Sequence, residues 1–234
     1  MPALSPIIFI AFLGGILPSL LWLGFWLLED STHPEPKKYL FLTFVLGMLA
    51  VWPVLKAEEF FVSYVAGTTL LLCWAFAEEI GKFAAGLLGG ILWPVFDEPL
   101  DAVIYMVTAA LGFSAMENSL FLFGSLQQGL IHGIISGDLR FIGATLLHTL
   151  SSATVGVALA YSYYKPVGTR KLFAALGVIL ATALHTLFNF FILGQGGDST
   201  FAIFFCIWLG IIAVLLMVEN IKSGEKIFTL TTRS

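Results

Sequence analysis

Seven apolar runs, each near the length that crosses a bilayer, constrain this chain more than any other feature. They lie at about Pro6–Leu28, Tyr39–Leu55, somewhere in Phe60–Leu92, Leu100–Phe123, Phe141–Tyr164, Leu172–Leu193 and Thr200–Ile221. Turn chemistry separates them: His33-Pro34-Glu35-Pro36, Trp93-Pro94, Lys165-Pro166-Val167-Gly168 and Gly194-Gln195-Gly196-Gly197. With 59% hydrophobic and 11% charged residues, against about 25% charged in a soluble domain, the chain reads as a multi-pass cell-membrane protein. The expected fold is all-α, a single helical membrane domain over 1–234 with about seven transmembrane helices and the lipid bilayer as its solvent. The first run is too long for a signal-peptide core and lacks a basic leader, so it reads as a retained helix. The net charge of −4 without a basic patch excludes nucleic acid as a partner. Cys73 and Cys206 both fall in apolar runs and match no disulfide framework or metal spacing.

The basic residues set an expected orientation. Lys37, Lys38, Lys165, Arg170, Lys171, Lys222, Lys226 and Arg233 all fall on one side of a seven-helix chain, and only Lys56 and Arg140 on the other. The positive-inside bias then puts the N-terminus outside and the C-terminus in the cytoplasm.

Against this apolar background a few ionisable residues stand out. Glu78, Glu79 and Lys82 share the run LLLCWAFAEEIGKFAAGLLGG, and Glu117, His148 and His185 each lie inside another run. A charge at bilayer depth costs about 2.5–3.5 kcal/mol on insertion scales, so such residues are functional by default. Counted from the outer helix ends, Glu117 and His148 lie roughly 10 Å deep and His185 roughly 12 Å. Glu78 joins them, at roughly 16 Å, if the third helix begins near Gly67. Ala57–Ala66 is then expected to be an interfacial segment that leaves Glu58 and Glu59 solvated. Lys82 follows Glu79 by three residues and Glu78 by four, close enough on a helix to neutralise a carboxylate. A buried ion pair alone would need only one of the two glutamates, so the second favours function. Asn189 lies four residues after His185, on the same helix face.

These residues occur in four motifs, in order. The first is Glu78-Glu79-Ile80-Gly81-Lys82. Asp101 then leads into Gly112-Phe113-Ser114-Ala115-Met116-Glu117-Asn118. Arg140 precedes His148, and the last is His185-Thr186-Leu187-Phe188-Asn189. In this pattern the chain resembles the PrsW family of intramembrane proteases, within the wider group of CAAX-processing (ABI) endopeptidases, over about helices three to six and with the motifs inside residues 67–195. The resemblance implies site-1-type proteolysis: a cut near the extracytoplasmic side of a membrane-anchored, possibly single-span protein, similar to an anti-sigma factor. CAAX-type relatives carry F-x-x-x-H where this chain has Glu117, which argues against prenyl-protein processing.

Peptide hydrolysis needs an activated water and a stabilised oxyanion. Glu78 is the expected base, with Glu79 as its support or alternative. Two histidines with a glutamate suit a zinc site with an open position for water, so Glu117, His148 and His185 are the candidate ligands of Zn2+. A metal-independent glutamate/histidine mechanism also satisfies these residue types. Asn189 could donate to the oxyanion or orient His185. Asp101 and Arg140, at helix ends, are explained by capping and interface anchoring. Two other functions fit parts of the pattern: a non-enzymatic scaffold similar to the Aph-1 subunit of γ-secretase, and a proton-coupled transporter. The retained glutamates favour an enzyme over a scaffold, and the absence of an inverted repeat disfavours a transporter. The connection Gly124–Leu139 is expected to cover the outer mouth of the site. Substrate identity and oligomeric state are not encoded in any motif.

Overall fold

The computed structural model describes residues 4–30, 33–129, 143–194 and 200–232. Among them are seven α-helices and no strands: α1 (Leu4–Glu29), α2 (Lys37–Val62), α3 (Gly67–Gly86), α4 (Asp101–Gln128), α5 (Ala144–Tyr161), α6 (Val167–Gly194) and α7 (Thr200–Thr232). A backbone in hydrocarbon must satisfy its own hydrogen bonds, and a helix does so within each run. Six helices are long and apolar enough to cross a membrane. The exception is α3, which carries Glu78, Glu79 and Lys82 within its 20 residues. It continues into a π-helical turn, Leu87–Ile91, closed by the Leu92 amide donating to the Leu87 carbonyl at 3.0 Å.

The helix boundaries differ from the sequence reading mainly at α2. This helix runs on to Val62 rather than ending near Leu55, so most of the expected interfacial segment is helical. Nothing between Pro53 and Gly67 breaks a helix by composition. The break comes where Gly67 takes a positive φ of 61°, a conformation that glycine adopts without the Cβ penalty. Glu59 is exposed and pairs with Lys56 at 2.8 Å, whereas Glu58 is half-buried. Helix α4 extends past Gly124 to Gln128. The rest of the connection expected to cover the site, together with His132 and Arg140, lies outside the described residues.

At the centre stands α4, buried at every position from Asp101 to Ala115. It packs against α1, α2 and α5; α5 in turn packs on α6 and α7, and α3 bridges α2 and α6. A helix wrapped on all sides needs little amphipathicity, which is why its sequence reads as evenly apolar. Its close approach to α2 depends on Gly112, where an added Cβ would run into the backbone carbonyl of Phe44. From the other side, α7 leans on α5 and is tied to α1 by Lys222–Glu29 at 2.7 Å and by the Trp22 and Trp208 rings.

The end of the bundle holding the α1–α2 connection is fastened by acids. Asp101, fully buried, accepts the Asp97 and Glu98 amides through Oδ2 at 2.9 and 3.0 Å. The Tyr105 hydroxyl donates to Glu35, and the Glu35 amide donates to Asp30 Oδ2 at 3.2 Å. Burial, reinforced by the nearby charges of Asp30 and Asp97, raises the pKa of Glu35 above the ordinary carboxylate value. A raised carboxyl pKa contributes stability that is complete below the unfolded-state value and is lost as pH rises through the folded-state value. The melting temperature of the detergent-solubilised protein is therefore expected to fall as pH rises above the usual carboxylate range, and Glu35→Gln should flatten that slope. Gly112→Ala should destabilise by about 1–3 kcal/mol, as overpacking does, in a melt at fixed pH.

Candidate active site

Four helices bring the ionisable residues to one place. Glu78 and Glu79 come from α3, Glu117 from α4, His148 from α5 and His185 from α6, and α3 touches all three of the others. The helical period explains the grouping on α3: Glu78, Glu79, Lys82 and Ala85 form its buried face. On α5, small polar residues let the neighbouring helices close in around His148; Thr145, Thr149, Ser151 and Ser152 are all fully buried.

The deepest element is an ion pair. Lys82 and Glu79 have fully buried side chains, with Nζ and Oε1 2.6 Å apart. The ammonium also reaches His148 Nδ1 at 3.0 Å and Ser151 Oγ at 3.4 Å, and lies 5.6 Å from the centre of the Phe113 ring. Glu79 Oε1 receives the Ser151 hydroxyl at 2.9 Å and meets His185 Nδ1 at 2.8 Å. A buried charge pair is tolerable only when its remaining donors and acceptors are satisfied, and Ser151 with the two imidazoles does much of that.

The contacts fix the histidines. With Nδ1–H donating to the Glu79 carboxylate, His185 turns a lone pair on Nε2 inward. Nε2 of His148 lies 2.9 Å from Glu117 Oε2, so its Nδ1 is the acceptor that receives the Lys82 ammonium at 3.0 Å. Between the rings sits Glu78: its Oε2 is 3.8 Å from His148 Nδ1 and 3.7 Å from His185 Nε2. This oxygen is buried and receives no hydrogen bond from an N–H or hydroxyl among the described residues. One ligand atom each from Glu78, His148 and His185 lies within 4.8 Å of the others, a grouping able to hold a metal ion.

The structure thus brings together Glu78, Glu79, Glu117, His148 and His185. Glu117 touches one histidine, through the ring nitrogen turned away from Glu78, and its side chain is 29% exposed. Asn189 is half-buried, one turn along α6 from His185, and makes no hydrogen bond among the described residues. Asn118 belongs to a separate polar knot, donating to Ser114 Oγ at 3.1 Å and Thr145 Oγ1 at 3.0 Å. Sequence reasoning missed two participants. Ser151 bonds Glu79, which its spacing three residues after His148 could have suggested. Glu58, half-buried, lies beside Glu78 and Glu117; only the true length of α2 would have revealed it.

A membrane-embedded cluster of two histidines and three glutamates, held by a buried lysine, defines the class: a polytopic membrane protein with a hydrolase-type, metal-capable centre. The comparisons with known proteins narrow this. The family described as PrsW family intramembrane metalloprotease matches residues 35–218, and the chain belongs to that family. Protease PrsW of Bacillus subtilis is 25% identical over 187 residues, covering 75% of this chain and 79% of the relative. Protease PrsW of Shouchella clausii is 25% identical over 220 residues, covering 92% and 96%, and that of Clostridioides difficile is 27% identical over 197 residues, covering 78% and 79%. No solved structure matches the chain significantly. The protein is a multi-pass membrane peptidase of this family.

Removing one partner of a buried ion pair strands the other charge. Lys82→Met is expected to cost about 3–5 kcal/mol in a denaturation series on the purified protein. Combining it with Glu79→Gln should restore part of that loss.

Proposed function

We propose that the chain is a site-1-type intramembrane endopeptidase that cuts a membrane-anchored, single-span protein of the anti-sigma-factor kind near its extracytoplasmic side. The observation that carries the chemistry is Glu78 Oε2, buried, without an N–H or hydroxyl donor, and nearly equidistant from two imidazole nitrogens. One ligand atom each from Glu78, His148 and His185 converges within 4.8 Å, which supports a cation at their centre; the Lys82 ammonium, 3.0 Å from His148 Nδ1, would give up that contact to the ion. The separations of 3.7 and 3.8 Å are close to the roughly 3.4 Å between ligands of a tetrahedral zinc ion with bonds of about 2.0–2.2 Å.

Glu78, His148 and His185 would hold Zn2+ or a similar divalent metal, with a position left for water. Bound there, it would supply a water acidic enough to attack at neutral pH and would polarise the scissile carbonyl. The chain's own residues do the rest. Glu79 orients His185, and Glu117 orients His148, each through the far ring nitrogen, as carboxylate partners of ligating histidines do. Lys82 keeps Glu79 ionised as a hydrogen-bond acceptor. Glu117, the most exposed carboxylate of the cluster, takes the proton of the attacking water and returns it to the leaving amine. Asn189, with its amide uncommitted, donates to the carbonyl oxygen as charge develops. In the sequence reading Glu117 was a ligand and Glu78 the base; the geometry supports the opposite assignment.

The side of the cut follows from the basic residues. The Lys/Arg-rich connections would face the cytoplasm, which puts the cluster in the outer half of the bilayer, where a single-span substrate emerges.

A two-variant comparison tests the roles. In proteoliposomes with single-span substrates, Glu117→Gln is expected to lose cleavage by at least about 100-fold, as for loss of a general base, yet to bind zinc within a few-fold of wild type. Glu78→Gln should lose both. Cleavage by wild type that resists strong chelators would reject the metal assignment, and retained cleavage in Glu117→Gln would reject the base.

A further inference from the structure

We propose that a groove between α6 and α7 holds the transmembrane helix of the substrate, beside the centre that cuts it. The inference rests on the endopeptidase reading given above and names the surface by which that enzyme grips its substrate.

Helices α6 and α7 both pack on α5. Between them, floored by the buried Leu147 and Leu150 of α5, lies a groove of about 410 Å3, within the size range of ordinary ligand sites. Leu187 and Phe191 of α6 and Cys206 of α7 line it and are exposed, so it opens on the surface that the bilayer covers.

The lining limits what can enter. Of the ten described residues around the groove, nine have hydrocarbon side chains and the tenth is Cys206. None offers a strong partner to a peptide amide or carbonyl, so an unwound chain would leave its backbone groups unpaired there. A helix satisfies its own backbone and enters without that loss. An acyl chain also has nothing to pair, but the α7 wall distinguishes the two. Ala202 and Cys206 line the groove one turn apart, and both are exposed. The rest of the exposed surface of α7 is bulky, with Phe201, Phe205, Trp208 and Ile212. Small residues one turn apart let a second helix backbone come close, which is how helices associate in lipid. An acyl chain needs no such relief.

The groove and the reaction centre share two walls. His148 directly follows Leu147, and His185 directly follows Leu184, which lines the groove with Phe188. Successive residues project about 100° apart round a helix, so groove and centre occupy neighbouring faces of α5 and α6. A span lying in the groove is held beside the histidines, and the chain leaving its end can cross to Glu117 and Asn189. Docking and cutting are thereby separated. The apolar helix stays whole in the groove, and only the chain beyond it unwinds, where the centre supplies hydrogen-bonding groups.

The test uses proteoliposomes of the full-length protein and a synthetic single-span peptide. The peptide is a leucine/alanine helix of about 20 residues with one cysteine stepped along it. In a Cys73→Ala background, oxidative cross-linking to Cys206 is expected to recur with the helical period along the peptide. It should run several-fold above that of a Phe41→Cys/Cys206→Ala control, whose cysteine replaces an exposed side chain of α2. Ala202→Phe, which fills the groove, is expected to raise KM for a cleaved single-span substrate by about tenfold, with kcat and melting temperature unchanged. Leu216→Phe, exposed further along α7, should change neither constant. Wild-type KM in Ala202→Phe, with cross-linking no stronger than in the control, means that ordinary lipid fills the groove and overturns the docking. If the wild type cuts no single-span substrate, the endopeptidase reading falls, and the cross-linking pattern decides the docking by itself.

Discussion

The buried Lys82–Glu79 pair is the interaction on which the rest of the centre depends. It places one full positive and one full negative charge, both wholly inaccessible, where neither is tolerable alone. Each neighbour then has a defined task. Ser151 and His185 satisfy Glu79, while His148 and Ser151 satisfy Lys82. With those contacts made, both imidazoles are turned so that a ring nitrogen lies within 3.8 Å of Glu78 Oε2. The geometry around Glu78 is thus a by-product of neutralising a charge pair inside the membrane.

The scaffold follows from the same need for closeness. Side chains on α3, α4, α5 and α6 can meet only if the helices approach tightly, and their sequences supply small residues where they cross. Gly112 lets α2 lie against α4, and the serines and threonines of α5 fill its buried face without bulk. Between helices in lipid, such packing and hydrogen bonding replace the hydrophobic effect as the source of association. That also accounts for the location of the cluster beside the most enclosed helix, α4, rather than on a loop.

Much of this was legible in the sequence. The apolar runs gave the helices, because a membrane-length run has few other uses, and the cost of intramembrane charge picked out Glu78, Glu79, Glu117, His148 and His185. Starting the third helix near Gly67 followed from requiring Glu78 to reach the depth of the others, and α3 begins there. What stayed hidden was pairing. Nothing in the spacing distinguishes a histidine nitrogen facing Glu78 from one facing Glu117, since that depends on helix rotation set by distant packing. Glu58 was hidden for a different reason. It sits next to Glu59 and Lys56 in a polar stretch that looks like a loop, and only the continuation of α2 to Val62 turns one of two adjacent glutamates inward.

The central claim is that Glu78, His148 and His185 form one coordinating group within the membrane. X-ray absorption spectroscopy on the zinc-reconstituted full-length protein tests it most directly. The account predicts one zinc per chain, with two imidazole nitrogens and at least one carboxylate oxygen at about 2.0–2.2 Å, and loss of one imidazole contribution in either His148→Ala or His185→Ala. A zinc sphere lacking imidazole, or one unchanged by both substitutions, would contradict it.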